Sequence, residues 1–188
     1  MLISLETRSH NRLQTLAFEI LAAHPATLSA QKRLEMIRIL SQASGINGMA
    51  SGQTLDMAGV DSLDNLLTMY QLKTGALLVA SIHLGILCSD LRNTHIHSSL
   101  LQYAQYVGLA FQLQDDLLDL QGNTAIIGKP QGIDKVNNKI TYPSLAGINQ
   151  TKEKIQMLFE QALQCIQCLG QHATHLEQLT YYLLQRDK

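Results

Sequence analysis

The sequence has no tryptophan, only three prolines, and aromatics at 5% of its 188 residues. With so few prolines, long stretches carry no obligatory helix break. With so few aromatics and no alternating run of any length, nothing calls for a sheet. Charge is scarce as well, at 15%, and balanced, with 14 Lys+Arg against 15 Asp+Glu. No basic stripe and no stacking aromatics mark a nucleic-acid footprint, so no nucleic-acid partner is expected. The three cysteines, Cys88, Cys165 and Cys168, are too few and odd in number for a disulfide framework. They fit a reducing, cytoplasmic setting. Cys165-x-x-Cys168 has no second pair and falls in an amphipathic stretch, so it reads as buried thiols and not as a zinc site. The N-terminus lacks the charged and apolar regions of a signal peptide. The longest uncharged run, between Lys73 and Asp90, is too short and too polar for a membrane span, which needs about 20 apolar residues.

What is present is helical periodicity, with 46% hydrophobic residues, enough for one core. Leu13, Leu16, Ala17, Ile20 and Leu21 mark a helix that Pro25 must end. A second starts near Ser29, a capping residue. Gly45–Gly48 is a break leading into Met49–Gly59. Asp61 reads as the N-cap of a helix over Leu63–Leu72, and Lys73-Thr74-Gly75 as the opening of the next, strongly apolar helix. Another spans Thr94–Leu120. Gln121–Tyr142, rich in Gly, Lys, Asn and Asp, is a functional loop. Two further helices lie near Gly147–Leu169 and Ala173–Gln185. The expected fold class is all-α, a helical bundle.

Within Thr94–Leu120 lies Phe111-Gln112-Leu113-Gln114-Asp115-Asp116-Leu117-Leu118-Asp119. Each residue turns a helix by roughly 100°, so positions 115, 116 and 119 aim their carboxylates to one side. Three like charges at that spacing repel unless a cation sits between them. Hard cations choose carboxylate oxygens, and Mg²⁺ takes one or two of them with waters and substrate phosphates. A solvated acidic face is the alternative. It fits less well where the flanks are apolar (Leu113, Leu117, Leu118, Leu120) and charge is rare. The cluster reads as half of a Mg²⁺–diphosphate clamp.

Other polar groups stand where a bundle should be apolar: Gln53 and Asp56, Lys73 and Thr74, Gln112, Lys129, and Lys139. A lysine inside a bundle needs a partner, and a diphosphate supplies one. Each residue taken singly has a plainer reading as surface, cap or loop.

Five ordered blocks carry a resemblance: Leu13–Glu19, Gly48–Asp56, Lys73–Leu77, Gly108–Asp119, and Gly128–Asp134 with Lys139–Pro143. Over residues 13–188 the chain resembles the trans-isoprenyl diphosphate synthases, the polyprenyl synthetase family, and most closely its bacterial farnesyl diphosphate synthases. The resemblance implies an isoprenoid-synthase helical bundle around a central cavity. It implies Mg²⁺-dependent condensation of an allylic diphosphate with isopentenyl diphosphate, and a homodimer. It assigns Mg²⁺ to Asp115, Asp116 and Asp119, and the allylic diphosphate to Lys73 and Lys129, with Thr74 and Gln112 beside them and Lys139 near the mouth of the pocket. Thr74, Phe111 and Gln112 lie where the nascent cation passes, with Gln53 and Asp56 in support.

The chain departs from that pattern upstream of Leu13. Met1–Arg12 is atypical and contains one acidic residue, Glu6, so the first aspartate-rich motif of the family, its arginines and the isopentenyl diphosphate grip are not found. The N-terminal helices of the bundle are therefore expected to be missing and the chain alone to be inactive. A non-catalytic partner that associates with a full-length synthase and a free-standing Mg²⁺/diphosphate binder are the other readings.

Overall fold

The computed structural model describes residues 2–23, 28–121 and 140–186, with the side chains of residues 12–23, 28–120 and 140–186. It is all-α, with no strand among the described residues. In chain order the helices are α1 (Leu2–Ala23), α2 (Ala30–Ser44), α3 (Met49–Ala58), α4 (Leu63–Tyr70), α5 (Ala76–Cys88), α6 (Thr94–Gln121), α7 (Tyr142–Ala146), α8 (Ile148–Ile166) and α9 (Thr174–Leu184). A π-helical turn, Gln71–Gly75, joins α4 to α5, and a 3₁₀ segment, Gln167–Ala173, joins α8 to α9.

Local chemistry sets most of these boundaries. Ser29 caps α2, its side chain accepting the Lys32 N–H at 3.3 Å. Ser62, and not Asp61, caps α4 by accepting from the Asn65 N–H. The Asp61 carboxylate accepts instead from the Asn65 side-chain amide at 2.7 Å, which holds its pKa below the usual carboxylate range. Thr141 and Ser144 form a reciprocal capping box on the short α7, which the sequence pattern did not announce. Gly147, at φ 87°, turns the chain from α7 into α8.

The second difference from expectation matters more. Lys73-Thr74-Gly75 opens no helix; it lies in the π turn of a continuous Leu63–Cys88 helix. Among the described residues this helix is the one long and apolar enough to cross a membrane, by length and composition alone. The uncharged run after Lys73 understated its length. Within the bundle it packs on α2, α3 and α6.

α6 is the central element. Its buried positions recur every three or four residues, through Tyr103, Val107, Ala110, Leu113 and Leu117, the spacing of one helix face. That face meets α8 along its length, with Ile155, Leu158, Phe159, Ala162 and Ile166 opposite. Tyr103 crosses to α9, its hydroxyl donating to Leu176 O at 3.1 Å and sharing a hydrogen bond with Thr180 Oγ1 at 3.0 Å. Burial raises the Tyr103 pKa. The cysteines are less enclosed than expected: Cys165 is half-buried, its pKa raised by burial, and Cys168 is exposed.

Close backbone contact fixes the π turn. Gly52 of α3 lies so near it that a Cβ there would stand 2.2 Å from Lys73 N and 2.5 Å from Lys73 Cα. Backbone cannot rotate aside. Gly52→Ala is therefore expected to lower unfolding free energy by about 1–3 kcal/mol or more, as overpacking does. Gly85→Ala, in α5 with no described atom within 4 Å of the new Cβ, should instead raise it by about 0.5–1 kcal/mol through helix propensity. Urea denaturation of the two variants measures both signs.

Candidate functional site

The site is assembled where the π turn faces α6. A π turn inserts one extra residue and shifts the helical register, so Lys73 and Thr74 reach different neighbours. Lys73 Nζ pairs with Asp56 Oδ2 of α3 at 3.0 Å. Thr74 Oγ1 donates to Gln112 Oε1 of α6 at 2.8 Å. Gln112 Nε2 in turn donates to Asp116 Oδ1 at 3.2 Å. The other oxygen, Asp116 Oδ2, accepts from the Tyr70 hydroxyl and from the Tyr142 N–H, the latter at 3.4 Å. One chain of hydrogen bonds thus runs from Thr74 through Gln112 and Asp116 to Tyr70 and α7. Such a chain gains from mutual polarisation when buried.

The three aspartates separate. Asp116 is 7% exposed and lies on the buried stripe of α6. Asp115, one residue earlier, is turned about 100° away. It pairs with the Arg186 guanidinium at the C-terminal end of α9. Asp119, one turn beyond Asp115, is half-buried. Among the described residues no group of three His, Cys, Asp or Glu side chains converges as a metal cage. Asp116 thus faces inward, while Asp115 and Asp119 are each partly exposed. Asp116 accepts the hydrogen bonds of the network, and Asp115 and Asp119, four residues apart, lie one turn from each other. Two carboxylates suit Mg²⁺, which completes its shell with water and phosphate oxygens. Asp115 already accepts a cationic partner, so the donor set fits that ion.

Phe111 and Gln112 border the same region. The Arg186 guanidinium lies 4.3 Å from the Phe111 ring centroid, so that ring face accommodates a cation. Gln53 is exposed on α3 and Asp56 is engaged by Lys73. Lys129 and Lys139 lie outside the described residues, as do residues 122–139 of the expected loop, whose ends Gln121 and Tyr142 belong instead to α6 and α7. Sequence reasoning passed over Tyr70, Tyr142, Gln114 and Arg186. Tyr142 stood in a block quoted for its lysine, and Tyr70 is one turn before Thr74. Nothing local marks Arg186, which acts across 71 residues of sequence.

The family profile described as polyprenyl synthetase matches residues 9–182. The farnesyl diphosphate synthase of Haemophilus influenzae is 44% identical over 80% of this chain and 52% of its own length. The farnesyl diphosphate synthase of Escherichia coli is 42% identical over 94% of this chain and 61% of its own. A crystal structure of geranyltransferase from Helicobacter pylori, complexed with magnesium and isoprenyl diphosphate, superimposes with a TM-score of 0.75. It is 28% identical, and the match covers 93% of this chain and 57% of that one. The chain spans between half and two thirds of the length of these relatives.

The network makes a stability prediction. Tyr70→Phe removes a donor from a buried carboxylate and is expected to cost about 1–3 kcal/mol. Urea unfolding measures it, and an unchanged midpoint would mean that Asp116 finds another donor.

Proposed function

We propose, because this chain belongs to the polyprenyl synthetase family, that it forms the diphosphate-gripping part of a prenyltransferase of the farnesyl diphosphate type. The reaction joins an allylic diphosphate to isopentenyl diphosphate, head to tail. The observation that carries the reading is the π turn packed on the aspartate-bearing helix. It sets Thr74 against Gln112, one turn before Asp116, and Lys73 against Asp56 of α3. The magnesium and isoprenyl diphosphate of the Helicobacter pylori structure support Mg²⁺ as the cofactor.

In this reading Asp115 and Asp119 hold Mg²⁺, and Asp116 fixes the helix that presents them. Bound Mg²⁺ supplies charge neutralisation to the leaving diphosphate. Lys73, Lys129 and Lys139 bind the diphosphate oxygens as point charges, with Thr74 and Gln112 as hydrogen-bonding groups. The allylic C–O bond breaks and its electron pair leaves with diphosphate. The allylic cation lies against the Phe111 face, the Thr74 hydroxyl and the Gln112 amide oxygen. The double bond of isopentenyl diphosphate then forms the new C–C bond, and the departing diphosphate takes the proton lost from the adjacent carbon. A cytoplasmic location fits the free cysteines, and the family resemblance implies a homodimer.

The 188 residues contain one aspartate-rich motif, so we infer that alone they do not turn over. Association with a full-length synthase is a second reading. The half-exposed Leu16 and Ile20 and the more exposed Leu13 on α1, with Leu34 of α2 at 63% exposure, favour it, because an apolar face of this kind marks an interaction surface. Co-purification with a full-length synthase would support it, and its absence would retire it.

The test is direct. The chain alone, given geranyl diphosphate, isopentenyl diphosphate and Mg²⁺, is expected to yield no farnesyl product. Fused behind the N-terminal part of the Haemophilus influenzae relative, it should become active. Asp115→Ala in that fusion should lower kcat at least about a hundredfold, the scale of losing several kcal/mol of charge stabilisation. Turnover by the chain alone, or a fusion indifferent to Asp115→Ala, would overturn the assignment.

A further inference from the structure

The two cysteines at the end of α8 take no part in the site described above. Cys165 and Leu169 pack on the cluster around Tyr103 and Val107 of α6. Tyr103 precedes Asp116 by 13 residues, roughly 20 Å along the helix. Between the two cysteines α8 gives way to 3₁₀ backbone. Gln167 N–H donates to Gln164 O, a three-residue step, and the 3₁₀ segment starts at Gln167. Side chains three residues apart eclipse one another in such a turn, so Cys165 and Cys168 stand on one line. The Cys168 thiol folds back along that line, donating to Cys165 O at 3.5 Å. The thiols also lie within electrostatic reach: burial raises the Cys165 pKa, and the charge of Cys168 raises it further. Core contacts hold Cys165 half-buried, and Cys168 is exposed. The pair is anchored on one side and open on the other.

Distance and donor type decide what such a pair takes. Cβ atoms three residues apart on a helix are separated by about 5–6 Å. A disulfide needs about 3.5–4.5 Å, so closing one here would distort the backbone. An ion about 2.3 Å from each sulfur bridges roughly 4.6 Å between them, which the thiols span with the backbone in place. A tetrahedral ion such as Zn²⁺ asks for four ligands. Among the described residues no group of three His, Cys, Asp or Glu supplies them. The neighbours Gln164, Ile166, Gln167, Leu169, Gly170 and Gln171 add no carboxylate, the donor a hard cation would choose. Thiolates select soft cations, Cu⁺ among them. We propose that Cys165 and Cys168 form a dithiol clamp for one soft monovalent cation of the Cu⁺ class, held between two sulfurs. Both thiols give their protons to solvent as the ion binds, and no electron is transferred. The clamp and the proposed diphosphate grip occupy separate parts of α6, so neither depends on the other.

The experiment titrates the reduced 188-residue chain with Cu⁺ under nitrogen, in competition with bicinchoninate, whose coloured Cu⁺ complex reports the ion it loses. One Cu⁺ per chain is expected, and X-ray absorption should count two sulfur neighbours. Cys165→Ser and Cys168→Ser should each weaken binding at least about a hundredfold, because the second thiol binds as an intramolecular partner. Cys165→Ala repeats the first test should a half-buried serine disturb the fold. Cys88→Ser, at the exposed end of α5, should bind as the parent chain does. Retention of binding in the Cys165 or Cys168 variants, or its loss in Cys88→Ser, would overturn the clamp. Half an ion per chain would overturn it too, since one Cu⁺ would then bridge the exposed Cys168 of two chains. Zn²⁺ held as tightly as Cu⁺ would require further ligands and would equally contradict it.

Discussion

Asp116 is a carboxylate in a nearly closed environment, and its hydrogen bonds organise what surrounds it. Burying a carboxylate is costly unless its oxygens are engaged. Here the Tyr70 hydroxyl, the Gln112 amide and the Tyr142 N–H engage them. Those three donors belong to the end of α4, to α6 itself and to α7, so satisfying one charge fixes three elements. The π turn begins one residue after Tyr70. Its register, which sets where Lys73 and Thr74 reach, is therefore coupled to the same carboxylate. Gly52 completes the arrangement from the other side by letting α3 approach the backbone of the turn.

The division between adjacent aspartates follows from helix geometry. Neighbouring residues differ by about 100° around the axis, so only one of positions 115 and 116 can lie on the stripe that α6 buries. Position 116 does. Position 115 is left on the outer side, with Asp119 one turn beyond it, where a cation can be met. Arg186 meets Asp115 there. A carboxylate turned into the core and one paired with Arg186 on the outer side thus stand side by side on one helix.

The sequence made the helices legible because period-3.6 patterning and capping chemistry are local. Ser29 and the Gly45–Gly48 break are examples. It also made the family legible, since five spaced blocks lie in order along the chain. It misread the π turn, because an inserted residue leaves no mark on an apolar run. It took Asp61 for a cap because Asp and Ser are both good caps, and adjacent candidates differ only in geometry. In the site, Lys73, Thr74, Gln112 and the aspartates were visible as polar residues on apolar helices. Tyr70, Tyr142 and Arg186 were not, because their roles depend on contacts 46, 26 and 71 residues away in sequence.

In the proposed reading one face of α6, with the π turn opposite, receives a metal-bound diphosphate. Hydrogen exchange read by mass spectrometry tests it without requiring turnover. Adding Mg²⁺ with inorganic diphosphate is predicted to slow exchange in the peptides covering Gln71–Gly75 and Phe111–Leu120, and Asp115→Asn with Asp119→Asn should abolish the effect. Exchange unchanged in both segments, or slowed equally by diphosphate with the metal chelated, would contradict the account.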